Sequence, residues 1–289
     1  MSYQEQGVRN QKLIYFAKNT NKLPLPLTAN PIGSPFVELQ SVDSTNKYAM
    51  NLVHEGMAQH GMVIFAHDQT AGKGQRGKNW SSEKGANIAL SIIINPYPLK
   101  VSDTFKLSVC TSVSAFEFLK KYAGDESRIK WPNDIYWRDR KAGGILIENI
   151  IRSSESEIGS RDPIAIRSGD WKWSVIGIGI NINQTFFFPD LPNPVSVKQI
   201  TGKHFEPVSL AKDLCVFFNK NFQILLVGNF ETIFTTYLAS LYKKNEKVKL
   251  KKDGRIFEVT IKTVAETGQL ITQHAIEERF EFGEVEWVQ

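Results

Sequence analysis

The stretch Trp173-Ser174-Val175-Ile176-Gly177-Ile178-Gly179-Ile180-Asn181-Ile182-Asn183 reads as the central strand of a sheet. Successive residues of a strand point to opposite faces. Ile176, Ile178, Ile180 and Ile182 therefore share one face, and Gly177, Gly179, Asn181 and Asn183 share the other. The isoleucine face is core. The glycine face is nearly bare until the asparagines, so it is either the floor of a cleft or the packing site of a helix.

Strands are expected upstream at Phe36–Leu39, Val63–Ala66 and Asn87–Ile94, the last rich in β-branched residues. Between the first two, Tyr48, Ala49, Leu52 and Val53 repeat at helical spacing after Asp43-Ser44-Thr45-Asn46, with Gly56 as a stop. Asp43 or Ser44 is a natural N-cap. The other reading is that Ser44, Thr45, Asn46 and the helix N-terminus face a polar ligand. Between the second and third strands lies Gln69-Thr70-Ala71-Gly72-Lys73-Gly74-Gln75-Arg76-Gly77-Lys78-Asn79-Trp80, with a formal charge of +3. This loop suits an anionic partner, and Trp80 offers a flat apolar face. It is neither the dinucleotide fingerprint nor a Walker loop.

A helix capped by Ser102 carries Phe105, Val109, Val113, Phe116 and Leu119 on one side. Then comes Arg128-Ile129-Lys130-Trp131-Pro132-Asn133-Asp134, where Pro132 ends a strand and leaves Lys130 at its tip, with Asn133 and Asp134 in the turn. Ile135–Trp137 and Lys141-Ala142-Gly143-Gly144-Ile145-Leu146-Ile147-Glu148 form a hairpin, and the small residues beside Lys141 predict close approach of a ligand or backbone. Residues 152–170 read as a long hairpin loop. Helices are expected from Ser209 through Leu225 and over Phe230–Leu241.

After Tyr242 the pattern changes to short strands at 248–250, 256–261, 270–272, 280–282 and 285–288, separated by Asp253-Gly254, Thr267-Gly268 and Gly283. The expected organisation is an extended lead-in over 1–35, a main domain over 36–242 and a small β-barrel over 243–289. The fold class is α+β.

With 42% apolar and 22% charged residues, the 289-residue chain has a globular composition, and its net charge of +5 is mildly basic. Cys110 and Cys215 lie in apolar helical patterns and read as reduced thiols. There is no signal-peptide pattern and no transmembrane run, so a cytoplasmic protein is expected.

Four motifs occur in order: Ser44-Thr45-Asn46; Gly72 to Trp80; Lys130-Trp131-Pro132-Asn133-Asp134 with Lys141 to Leu146; and Gly177 to Asn181. Together they resemble the biotin–protein ligases, over roughly residues 36–289. The resemblance implies a class II synthetase-like mixed β-sheet catalytic domain with helices and a C-terminal SH3-like barrel. It implies that biotin and ATP form biotinyl-5′-AMP, from which biotin passes to a lysine of the biotin carboxyl carrier protein of a carboxylase. It assigns Lys141, Arg76 and Lys73 to catalysis. Biotin would meet Ser44, Thr45, Asn46, Gln69, Gly72, Lys73, Gly74, Arg76, Trp80, Lys141, Gly143 and Gly144, with Trp80 covering the pocket. ATP would meet Lys130, Trp131, Asn133, Asp134 and Asn181, with Mg2+ near Asn133 and Asp134. No N-terminal DNA-binding module is expected, hence no specific DNA. A sheet edge could pair two copies.

Gln75 and Lys73 depart from the arginines frequent in that family, which predicts weaker retention of the intermediate. The nearest rival is a lipoate–protein ligase, against which the polar cluster of Ser44, Thr45, Asn46 and Gln69 favours a ureido ring. A basic nucleic-acid-binding module would need more exposed aromatics than the 243–255 run offers.

Overall fold

The computed structural model describes residues 30–152, 170–189, 191 and 193–288. The lead-in up to residue 29 and most of the expected hairpin loop (153–169) lie outside the described residues. The first sheet holds β1 (Phe36–Leu39), β2 (Val63–Ala66), β3 (Ile88–Ile94), β4 (Ser127–Lys130), β5 (Asp134–Trp137), β6 (Arg140–Arg152) and β7 (Asp170–Ile180). Their order is β1-β2-β3-β7-β6-β5-β4, with β1 and β2 parallel and the rest antiparallel.

The helices are α1 (Thr45–His54), α2 (Thr104–Ala123), α3 (Val197–Thr201), α4 (Pro207–Leu226) and α5 (Phe230–Ala239). The isoleucine face of β7 joins the main core with α2, α4 and α5, where Leu107, Phe118, Phe218, Phe222 and Tyr237 are fully buried. On the other face, Ala49 of α1 packs with Ile64, Ile93 and Val175. The glycine face of the central strand is therefore in part a helix-packing site. Both cysteines are free and buried.

Several expectations shift at element ends. A 3-10 turn over Val101–Asp103 precedes α2, whose N-cap is Asp103, so Ser102 lies one residue before the cap. α4 starts at Pro207 rather than Ser209, because Pro suits the first helical turn and the Glu206 carboxylate accepts from Val208 N at 3.4 Å. α3 was not expected. Its signal is the capping box of Ser196 and Gln199, in which Gln199 N donates to Ser196 Oγ at 3.2 Å and Ser196 N to Gln199 Oε1 at 3.2 Å. β7 ends at Ile180, which puts Asn181 and Asn183 in the turn beyond it.

The second sheet holds β8 (Lys247–Lys252), β9 (Arg255–Val264), β10 (Leu270–Gln273), β11 (Glu277–Phe280) and β12 (Glu286–Val288), in the order β11-β10-β9-β8-β12, all antiparallel. β11 thus lies before Phe282, which is half exposed at 51%. The basic run meets acids across the strands: Lys249 lies opposite Glu258 and Lys251 opposite Glu286. Residues 240–242 join the sheets along the β4 edge, where Ile129 N donates to Ser240 O at 2.9 Å and Tyr242 N to Ile129 O at 2.8 Å.

Candidate active site

Residues directly opposite in antiparallel strands present side chains to one face. Ser91, Gly177 and Leu146 form one such row across β3, β7 and β6; Ala89, Gly179 and Gly144 form the next. The two rows make the floor of the site.

Asn46 stands on the first row. A Cβ on Gly177 would fall inside the contact distance of its Oδ1, so only glycine admits the asparagine there. Asn46 is held from both ends. Its Nδ2 donates to Glu148 Oε2 at 2.8 Å, and Ser91 Oγ donates to its Oδ1 at 2.6 Å. Ser91 Oγ is also 2.8 Å from Thr45 Oγ1. The Thr45 hydroxyl in turn donates to Gln69 Oε1 at 3.1 Å, so the single Ser91 proton is shared between Asn46 Oδ1 and Thr45 Oγ1. Thr45 N donates to Gln69 Oε1 at 2.8 Å, which ties the helix start to the loop. Ser44 occupies the N-cap position of α1 without a side-chain cap bond, although it is only 2% exposed. The capping reading of Ser44 thus holds for the backbone and leaves its hydroxyl uncommitted.

Trp80 lies on the second row. A Cβ on Gly179 would sit 2.5 Å from its Cε2, so the indole rests on the floor rather than above it. Its Nε1 is buried and unpartnered among the described residues. The loop that carries it folds back on itself, with Trp80 N donating to Gly72 O at 2.9 Å and Gly74 N to Lys78 O at 2.6 Å. Lys73 and Arg76 are exposed. Arg76 has a φ of 55°, and its guanidinium carbon lies 3.4 Å from where a Cβ of Gly283 would be, so the loop touches the turn between β11 and β12. Gln75 donates from Nε2 to Ile145 O at 3.2 Å, a carbonyl that Asn133 Nδ2 also reaches at 2.7 Å.

At the far end of the second row, Lys141 Nζ and Asp134 Oδ1 pair at 2.7 Å beside Gly144. Both are about a quarter exposed, at 28% and 24%. The hairpin register dictates the meeting, since Asp134 lies opposite Gly144. Gly143, one residue earlier, faces away from this pair and packs against Gly179 O.

All five expected ATP residues are engaged with the protein itself, Asn133 with Ile145 O and Asp134 with Lys141. Asn181 Nδ2 donates to Val195 O at 3.1 Å and to Lys141 O at 3.4 Å, fixing the backbone that carries Lys141. Trp131 is 2% exposed and donates from Nε1 to Gly268 O at 2.9 Å. Lys130 is 8% exposed and donates to Tyr136 Oη at 3.1 Å. Burial pushes the Lys130 ammonium down to about 8, against the opposing pull of Asp134. Ser91 and Glu148 were missed from sequence. Neither stands in a motif, and only the strand register brings them to Asn46.

A cavity of about 290 Å3 lies among Phe105 of α2, Ile145 and Ile147 of β6, and Phe282, and Gln75 of the glycine loop and Asn133 also line it. No cluster of three metal-ligating side chains occurs among the described residues.

The arrangement is a mixed sheet with a cationic glycine loop over a polar, glycine-floored recess. Residues 38–160 match the Biotin/lipoate A/B protein ligase family. Among curated relatives, the bifunctional ligase/repressor BirA of Bacillus spizizenii is 28% identical over 210 residues, 72% of this chain and 59% of its own length. The biotin–[acetyl-CoA-carboxylase] ligase of Paracoccus denitrificans is 31% identical over 175 residues, 58% of this chain and 65% of its own length. The chain thus spans less than two thirds of either relative. The biotin protein ligase from Aquifex aeolicus, solved in complex with biotin and ATP, has the same fold. Its TM-score is 0.70 at 21% identity, over 88% of this chain and 98% of that one. No helix among the described residues is long and apolar enough to cross a membrane.

Proposed function

We propose that the chain is an ATP-dependent biotin–protein ligase that modifies a lysine of a biotin carboxyl carrier protein in the cytoplasm. The observation that carries this reading is a line of three groups on one face: the Asn46 cluster at Gly177, Trp80 at Gly179, and the Lys141–Asp134 pair at Gly144. A ureido ring needs donors and acceptors at one end of an apolar slot, and a carboxylate needs a cation at the other. Ser44, Thr45, Asn46 and Gln69 supply the first. Lys141 supplies the second, with Lys73 and Arg76 from the loop.

In the first half-reaction a carboxylate oxygen of biotin attacks the α-phosphorus of ATP, the bond to the β-phosphate oxygen breaks, and pyrophosphate leaves. Both reactants are anions, so oriented cations lower the barrier. In the second, the carrier's lysine amine attacks the acyl carbon, AMP departs and the amine loses a proton. The acyl-adenylate hydrolyses in water, so closure of the glycine loop over it protects the product. Mg2+ would enter with the ATP phosphates. Asp134 is the carboxylate it would meet beside Lys141 among the described residues, and to bind it Asp134 would have to loosen its hold on Lys141. We assign the division at residue 242 on the same reading, with 36–242 carrying the chemistry.

Incubation with biotin, ATP, Mg2+ and a carboxylase carrier domain, with lipoate as control, tests the proposal. Biotin-dependent pyrophosphate release and biotinylated carrier are expected. Release with lipoate alone would assign the chain to the other branch of its family, and release with neither would sink the ligase reading.

A further inference from the structure

Lys130 is enclosed by three aromatic rings from three segments. Its ammonium lies 4.6 Å from the ring centre of Tyr136 on β5, 5.6 Å from Tyr242 in the joining segment and 4.9 Å from Trp287 on β12. In the β4–β5 ladder it lies directly opposite Asp134, the residue that pairs with Lys141. The other charges acting on it are Lys141 itself, Lys78 of the glycine loop, and Asp139. Asp139 in turn accepts from Tyr242 Oη at 2.7 Å and meets Lys243 at 3.0 Å.

Aromatic faces stabilise a cation without neutralising it. One carboxylate, Asp134, then pairs directly with Lys141 while acting at longer range on Lys130, and it cannot neutralise both. The cage holds Lys130 in place, and Lys130 draws on Asp134, which leaves Lys141 with positive charge to offer an anionic substrate. We propose that Lys130 is a positioning residue through which the second sheet, by way of Trp287, sets the state of the Lys141–Asp134 pair. Its catalytic consequence rests on the ligase reading above; the coupling itself does not.

A double-mutant cycle on the full chain tests it: Trp287→Leu, Lys130→Met, and the two combined, with Lys130→Arg as the conservative control. In biotin-dependent pyrophosphate release, each single change is expected to raise KM for biotin about tenfold, and the double variant to be no worse than Lys130→Met alone. Lys130→Arg, which keeps the charge and the ring contacts, should stay within about threefold of wild type. Losses that multiply in the double variant, or a Trp287→Leu protein indistinguishable from wild type, would overturn the proposal. Lysine side-chain NMR gives a second readout that needs no activity. The Lys130 Cε signal is expected to titrate below the ordinary lysine range in wild type and to move back upward in Trp287→Leu. An unmoved signal refutes the coupling, whatever the enzyme does. The expected shift in a protein without pyrophosphate release refutes the ligase reading alone. Tyr242→Leu replaces Trp287→Leu if that variant does not fold.

Discussion

Gly177 and Asn46 are matched to each other at the level of single atoms. Asn46 is pinned by Ser91 and Glu148, so it cannot swing aside for a methyl group. Gly177→Ala is therefore expected to cost about 1–3 kcal/mol, as overpacking does, and to weaken biotin binding. Removing the obstacle in the double variant Gly177→Ala/Asn46→Ala should restore much of the melting temperature without restoring biotin affinity, as calorimetry on both would show. Equal recovery of both would mean that Asn46 only fills space. Lys141→Ala should lower biotin-dependent pyrophosphate release by on the order of 10²-fold, the scale of losing one oriented electrostatic group; near-normal release would remove Lys141 from the catalytic set. The motif residues were legible because their types announce chemistry. Ser91 and Glu148 were not, because a serine in an apolar strand and a glutamate along a strand are common, and only the register across β3, β7 and β6 gives them work.

Among the elements, α2 supports the sheet from the face away from the recess. Phe118 on α2 is fully buried, with Tyr122 5.0 Å away, centre to centre, and Phe217 6.4 Å away. Phe118→Ala is expected to destabilise the chain by about 3–5 kcal/mol while leaving the dissociation constant for biotin unchanged at temperatures where the variant is folded. A change in binding larger than a few-fold would show that the two faces are coupled. Periodicity made α2 and the central strand readable, since isoleucine and phenylalanine repeat at the spacing each element requires. Element ends were less readable. Ser102 looks like a cap and Ser209 like a helix start, yet a 3-10 turn and a proline moved the caps to Asp103 and Glu206. β11 also ends before Phe282, whose alternation with Phe280 suggested a strand and whose ring instead meets Trp131 at 6.4 Å between ring centres.

At the scale of the whole molecule the two sheets are joined through the Lys130–Asp134 motif. Trp131 reaches Gly268 on one side and Lys130 reaches Trp287 on the other. The sequence marked both residues as ligand contacts, because a motif records which residues occur together and not which of them face solvent. The joint predicts a pH dependence. Lys130 falls from 10.5 to about 8 on folding, chiefly through burial. Between those values the unfolded chain holds a proton that the folded chain has released, so this group makes stability rise as pH climbs from about 8 to about 10.5. Below about 8 the folded state carries the full cost of the buried charge. Urea unfolding of wild type and Lys130→Met across that window should show the wild-type midpoint gaining on the variant as pH rises. Parallel curves would mean that Lys130 is not buried as a cation.

Two of the three glycines of the floor, Gly177 and Gly179, also carry a consequence for how this protein can drift. A recess shaped by absent side chains can only be altered by addition. Every single-base change that replaces a glycine codon introduces a larger residue, so no first step at positions 177 or 179 deepens the recess, and each narrows it. Widening must come from the opposite wall, from Asn46 or Trp80. Any descendant that takes a bulkier ligand is expected to differ first at those two positions, with both glycines unchanged.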